Sequence, residues 1–315
     1  MKTRGVAVAF LAGLAGLCFV AASLANTVMS WVPAYEVENS VDALQAPLGE
    51  GRTVGQTLSR LALQFWVPDG GNLVLDKRVS EADVHRLVTA ARQNNLQVLL
   101  GVFNAYPDVD DSGFSWDRAK KAFAAGNAFI QQIVAEMEKF QLDGVEIDIE
   151  SERDGLTAGD RVDYAGFIAA LAEQIHSKGK IITLSSFPGR WFGPNNTWWS
   201  DWAKVVDGVQ SMGYAEVGKA GTRDWDSYRA QVALWVQAGG DPRKFLNGVS
   251  VYSKQWQGAS ASANLEGLFE VARSTGSGVA VWELSRKAHP ADLEAGWSSP
   301  VNWAWIGRIK NLSSP

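Results

Sequence analysis

The sequence predicts an α/β fold, a single (β/α)8 TIM barrel without an insertion domain, from three observations. Eight apolar, strand-like runs recur along the chain, and helix-patterned segments separate most of them. No Pro- or Ser-rich linker, low-complexity tract or short repeat divides the residues that carry them. Eight β/α units in roughly 290 residues fit a closed barrel better than an open doubly wound sheet.

In order, the strand-like runs are Val28–Val32, Leu61–Val67, Gln97–Phe103, Gly144–Ile149, Ile181–Ser185, Gly208–Met212, Phe245–Val251 and Val279–Leu284. The segment Glu36–Arg60 has no clean period and reads as an irregular connection. Ser80 has the character of an N-cap for a helix with Val84, Leu87, Val88 and Ala91 on one face. Between Ser115 and Phe140, the residues Ile130, Ile133, Val134 and Met137 keep the helical period. Tyr164, Phe167, Ile168, Leu171 and Ile175 form the next stripe, and Gly179 supplies a stop. Tyr228, Val232, Trp235 and Val236 form a fourth, and Leu265, Leu268, Phe269 and Ala272 a fifth. Trp199–Val206 has room only for a short helix, and Trp303–Leu312 closes the domain.

Composition agrees with a globular class. The 315 residues are 46% hydrophobic and 20% charged, which excludes a disordered, coiled-coil or collagen-like chain. Lys and Arg total 29 against 34 Asp and Glu, with no basic run beyond pairs such as Lys120-Lys121. Phosphate contacts need clustered cations, so nucleic acid is not an expected partner. Lys2 and Arg4 precede an uncharged stretch, Gly5–Ala25, that closes in small residues. That is the pattern of a secretory signal peptide over residues 1–25, ahead of a barrel domain over 26–315. The expected location is secreted or periplasmic; the alternative is an inner-membrane anchor formed by residues 5–25. The single cysteine, Cys18, lies in that segment, so the rest of the chain has no disulfide and must be held by its core. A monomer is expected. Fourteen tryptophans suit either core packing or stacking against sugar rings.

The chemistry points to Leu142-Asp143-Gly144-Val145-Glu146-Ile147-Asp148-Ile149-Glu150. Side chains alternate faces along a strand, so Val145, Ile147 and Ile149 turn toward the helices while Glu146, Asp148 and Glu150 turn into the barrel. Adjacent acids cannot all ionise in a dry interior, so at least one must titrate high. Glu150 ends the strand, and barrel active sites lie at the C-terminal ends of strands. A metal site would draw further acids or histidines from neighbouring strands, but only Glu283 offers itself and His85, His176 and His289 fall on helix or loop patterns. No metal and no cofactor are expected. Proton transfer is the better reading, with Glu150 as the acid and Asp148 as its modulator.

Here the chain resembles the family 18 glycoside hydrolases, the chitinase family. Their strand-four Asp-x-x-Asp-x-Asp-x-Glu is similar to Asp143-x-x-Glu146-x-Asp148-x-Glu150. Their strand-six Met-x-Tyr matches Met212-Gly213-Tyr214, and their strand-eight tryptophan matches Trp282. The strand-one Gly-Tyr-x-Pro pattern corresponds loosely to Ser30-Trp31-Val32-Pro33. The resemblance implies a retaining, substrate-assisted reaction in which a 2-acetamido group attacks the anomeric carbon. Glu150 would protonate the leaving oxygen, Asp148 would steady the acetamido N–H with Glu146 behind it, and Tyr214 would hold the acetamido oxygen. Trp282 would floor the sugar site, with Trp31, Met212, Phe65 and Asn104 as further substrate-binding candidates. Three departures mark an atypical subgroup: Glu146 replaces the middle Asp, Gly101-Val102-Phe103-Asn104 replaces a strand-three Ser-x-Gly-Gly, and Ala215 follows Tyr214.

The partner implied is a polysaccharide or oligosaccharide containing N-acetylglucosamine. Chitin fragments lead, with peptidoglycan, N-glycans or a catalytically silent lectin as alternatives. The connection after strand seven, ending near Tyr252, is too short for an insertion domain and predicts an open cleft. Gly213-x-x-x-x-Gly218-Lys219 lacks the Ser/Thr of a phosphate loop, since Ala220 follows. Asn195-Asn196-Thr197 and Asn311-Leu312-Ser313 are formal glycosylation sequons. The cluster Trp191, Trp198, Trp199 and Trp202 reads as either a packed loop or a sugar platform, whereas Trp116, Trp235 and Trp303 read as core.

Overall fold

A parallel strand covered by helices on one side and closed into a barrel on the other is buried on both faces, and the eight runs behave in that way. They form β1 (Val28–Pro33), β2 (Arg60–Asp69), β3 (Gln97–Phe103), β4 (Gly144–Asp148), β5 (Ile181–Ser186), β6 (Gly208–Ser211), β7 (Phe245–Ser250) and β8 (Gly278–Trp282). Each pairs in parallel with its sequence neighbours, and β1 pairs with both β8 and β2, which closes the barrel. The structure is a computed structural model that describes residues 26–105, 114–151, 156–190, 192–213, 225–250, 258–284 and 303–312. Residues 1–25, the expected signal segment, lie outside that set. No helix among the described residues is long and apolar enough to cross a membrane.

Among the described residues the helices longer than one turn are α1 (Val37–Gln45), α2 (Glu81–Gln93), α3 (Trp116–Ala125), α4 (Asn127–Lys139), α5 (Ala158–Ser177), α6 (Trp225–Gln237), α7 (Gly258–Thr275) and α8 (Trp303–Lys310). Ser80 caps α2 as its chemistry predicts, its Oγ accepting from Asp83 N–H at 3.2 Å while Asp83 reaches back. Thr157 and Asp160 make the same capping box on α5. Asp160 also accepts from Trp116 Nε1 at 3.0 Å, and the Thr157 N–H above all holds its carboxyl well below the usual range.

Four local readings are corrected. The expected irregular stretch Glu36–Arg60 contains α1 and a small hairpin, Pro47–Gly49 with Arg52–Thr53. The run from Ser115 to Phe140 breaks at Gly126, giving two helices. β2 continues past Val67 and turns at Asp69-Gly70-Gly71-Asn72 into an antiparallel strand, Asn72–Leu75. On α6, Val236 is exposed and Gln231 takes its place beside Tyr228, Val232 and Trp235 on the buried face.

Two cores result. The large one lies between sheet and helices, and the small one fills the barrel with Met29, Trp31, Ala62, Leu99, Leu246 and Ala280. The tryptophans after β5 settle on the packed reading. Trp198, Trp199 and Trp202 are buried, and Trp199 donates from Nε1 to Ser186 Oγ at 2.8 Å. Trp191 lies outside the described residues. Trp116 and Trp235 are buried as expected, and Trp303 packs against the core from its edge.

Candidate active site

The alternation read along β4 is present in space. Val145, Ile147 and Ile149 belong to the helix-facing core, while Glu146 and Asp148 are buried on the other face and Glu150 keeps 8% of its surface exposed just past the strand end. Gly144 makes this possible: a Cβ there would stand 2.1 Å from the Ile181 carbonyl oxygen, so only glycine lets β5 approach. Asp143 anchors the base of the strand. Its carboxylate accepts from Val98 N–H at 2.7 Å and Arg92 Nη1 at 2.6 Å. The first acid of the motif is therefore structural, at the end of the strand opposite the chemistry.

The other end is held from both sides. Asn104, following β3, donates its Nδ2 to the Glu150 carbonyl and accepts the Glu150 N–H on Oδ1, both at 2.8 Å. On the β5 side, Ser151 N–H donates to Gly193 O at 2.8 Å, and Gly193 N–H returns to Ser151 O at 3.3 Å. The main chain carrying Glu150 is thus tied to the loops above two neighbouring strands.

Burial dominates the electrostatics. It pushes the Glu146 carboxyl well above the ordinary range, the Asp148 charge adds to the rise, and the hydrogen bond from the Ser185 hydroxyl (2.5 Å), with the polar edge of the nearby Trp31 indole, opposes it. Asp148 is raised to about 7, again by burial, against hydrogen bonds with the Glu150 side chain and the Gln64 amide. Glu146 Oε2 and Asp148 Oδ1 are buried without a hydrogen-bond partner among the described residues, and neither acid is paired with a Lys or Arg among them. The two acids titrate as a unit that retains a proton near neutral pH. A carboxyl able to donate at pH 7 therefore stands beside an ionisable partner, the requirement for general acid–base work.

The remaining expected site residues divide. Trp282 is half-buried at the end of β8, its ring 5.8 Å from Trp31 at 63°, and the Trp282–Glu283 peptide is cis. Met212 follows β6, its N–H donating to Ser186 O at 2.9 Å. Tyr214 lies outside the described residues. Three substrate-binding expectations are corrected. Phe65 is fully buried in the helix-facing core, on the same face of β2 as Leu61 and Leu63. Asn104 is fully buried, with both ends of its amide on the Glu150 main chain. Trp31 is 1% exposed inside the barrel and acts on Glu146. Gln64 and Ser185 were missed. Each is a polar residue at an inward position of an apolar run, a buried group that must find a partner, and that parity was the available signal.

Comparison with known proteins places this geometry. A search of the curated proteins found no match. Among solved structures, the class V chitinase from Pseudomonas fluorescens Pf-5 superposes with a TM-score of 0.68 at 15% identity, covering 90% of this chain and 98% of that one. The spore cortex-lytic enzyme SleL of Bacillus cereus gives 0.67 at 15% identity, covering 92% and 75%. A family 18 N-acetylglucosaminidase from Paenibacillus barengoltzii gives 0.64 at 13%, covering 90% and 99%. These three share its fold. The family model for glycosyl hydrolases family 18 matches residues 61–306, from β2 to α8 and including the three acids. The chain belongs to the glycosyl hydrolases of family 18.

Proposed function

We propose that this glycoside hydrolase cleaves β-1,4 bonds at N-acetylglucosamine residues, as in chitin oligosaccharides, by substrate-assisted catalysis. The observation that carries the reading is the file of acids on the inward face of β4, ending in Glu150 where the strand opens to the loops. Glu150 donates its proton to the glycosidic oxygen, and the sugar's own acetamido oxygen attacks the anomeric carbon. Asp148 takes the acetamido N–H and balances the positive charge of the cyclic intermediate, while Glu146 stores the shared proton behind it. Water then opens the intermediate with Glu150 as base. Tyr214 and Trp282 complete the sugar site. Export through the segment at residues 1–25 is part of the proposal and is supported by its charge and hydropathy pattern.

Release of reducing ends from chitotetraose tests the reading. Wild type should turn over, and Glu150→Gln should lose roughly 10²–10⁴-fold in kcat with binding retained. Zero turnover in both, with binding intact, would leave a lectin instead. One observation favours a second substrate: the Bacillus cereus neighbour is a spore cortex-lytic enzyme. Peptidoglycan glycan also carries N-acetylglucosamine, and turnover of it without turnover of chitotetraose would select that reading.

A further inference from the structure

Gln64 interrupts the apolar run Leu61-Ala62-Leu63-Gln64-Phe65-Trp66-Val67 and is buried on the barrel side of β2. Its register partner on β3 is Gly101, and the partner of Gly101 on β4 is Glu146. Glycine is needed there, since a Cβ would stand 2.6 Å from the Leu63 carbonyl oxygen. With no side chain on Gly101, the Gln64 amide passes over β3 and its Nε2 donates to Asp148 Oδ2 on the strand beyond. The register of β2 shifts between Gln64 and Trp66, at this same point, and such bulges re-aim side chains. Asp148 Oδ1 is left buried without a partner among the described residues.

We propose that Gln64 is a positioning residue that acts through Asp148, its amide fixing one carboxylate oxygen and leaving the other to take the substrate's acetamido N–H. This rests on the role given to Asp148 above. It also accounts for the strand-three departure of this chain. Strand three has no serine motif to steady the acids, and Gly101, standing in its place, opens the path by which strand two does so. Glu146 is steadied separately, by Ser185 on β5. The titratable groups around Asp148 are Glu146 on its own strand, Glu150 just past its end and Tyr164, which senses both inner acids from α5; β3 presents Phe103, its register partner. A donor to the ionised form favours that form. Removing it raises the Asp148 titration and moves the acid limb of activity upward.

The test compares kcat against pH for wild type, Gln64→Met and Gln210→Met on chitotetraose. Gln210 is a second buried barrel glutamine, but it donates to Thr183 Oγ1 at 2.9 Å rather than to an acid. In Gln64→Met the acid limb should move up by about 0.5–1 pH unit, with kcat about tenfold lower and KM within about twofold. Gln210→Met should leave the limb in place. A limb in Gln64→Met that coincides with wild type overturns the proposal, whatever happens to the maximal rate. Carbon-13 titration of the carboxyl groups in the same proteins reads Asp148 without turnover. It therefore decides the role of Gln64 even where wild type fails to cleave chitotetraose: a raised midpoint in Gln64→Met supports it, an unmoved one ends it. Gln64→Asn, which withdraws the amide by one methylene, carries the same expectations if the methionine variant does not fold.

Discussion

Asn104 uses both ends of its side-chain amide on the main chain of Glu150, so it sets where the acid stands. Replacing it with Leu leaves a buried N–H and a buried C=O without partners, at a cost of about 2–4 kcal/mol. Denaturant unfolding should show that loss, and steady-state kinetics should show kcat reduced ~10–100-fold with KM little changed, as for a residue whose effect is felt at the acid. At this scale the sequence was partly legible. Strand parity places Glu146, Asp148 and Glu150 on one face because it depends only on local backbone geometry. The same parity puts Phe65 with Leu61 and Leu63 on the helix side, away from any sugar, and fails only at Trp66, which joins that core after the register shift in the β2 ladder. The role of Asn104 depends on a contact 46 residues away, which no local pattern records.

The strand β4 shows how tightly an element can be specified. Gly144→Ala would drive a methyl into the Ile181 carbonyl and part β4 from β5; we expect destabilisation of at least about 3 kcal/mol or failure to fold, by chemical denaturation. Gly166 on α5 is the counter-example, with open space where its Cβ would stand, so Gly166→Ala should stabilise by ~0.5–1 kcal/mol in the same measurement. Element by element, strands were the most legible because each is an apolar run buried on two faces. α1 was not, since only Val37, Ser40 and Leu44 face inward over nine residues and the first turn lacks a side-chain cap. The turn at Asp69-Gly70-Gly71-Asn72 carried a readable hairpin signal that the longer apolar run before it obscured.

At the scale of the molecule, the inner acids tie stability to pH. Glu146 and Asp148 both titrate above unfolded carboxylates, so at these two sites the folded chain holds more protons than the unfolded one between roughly pH 4 and 7. This contribution is therefore greatest at the acid end of that window and is lost as pH rises through it. Glu146→Gln removes most of the penalty, and its Tm should exceed wild type by about 2–5 °C at pH 8, the gap closing toward pH 4–5 in calorimetry. The opposite outcome, a variant less stable at pH 8, would mean that Glu146 is ionised and well solvated in the folded state.

The ladder between Ser151 and Gly193 has an optical consequence. It links the acid-bearing strand to a loop whose indoles, Trp198 and Trp199, are packed against fixed neighbours. A sugar that displaces Glu150 should therefore alter the emission of those indoles through the two amides, a change fluorescence titration with chitotetraose would read. Unchanged emission on saturation would mean that the bridge does not move with the acid.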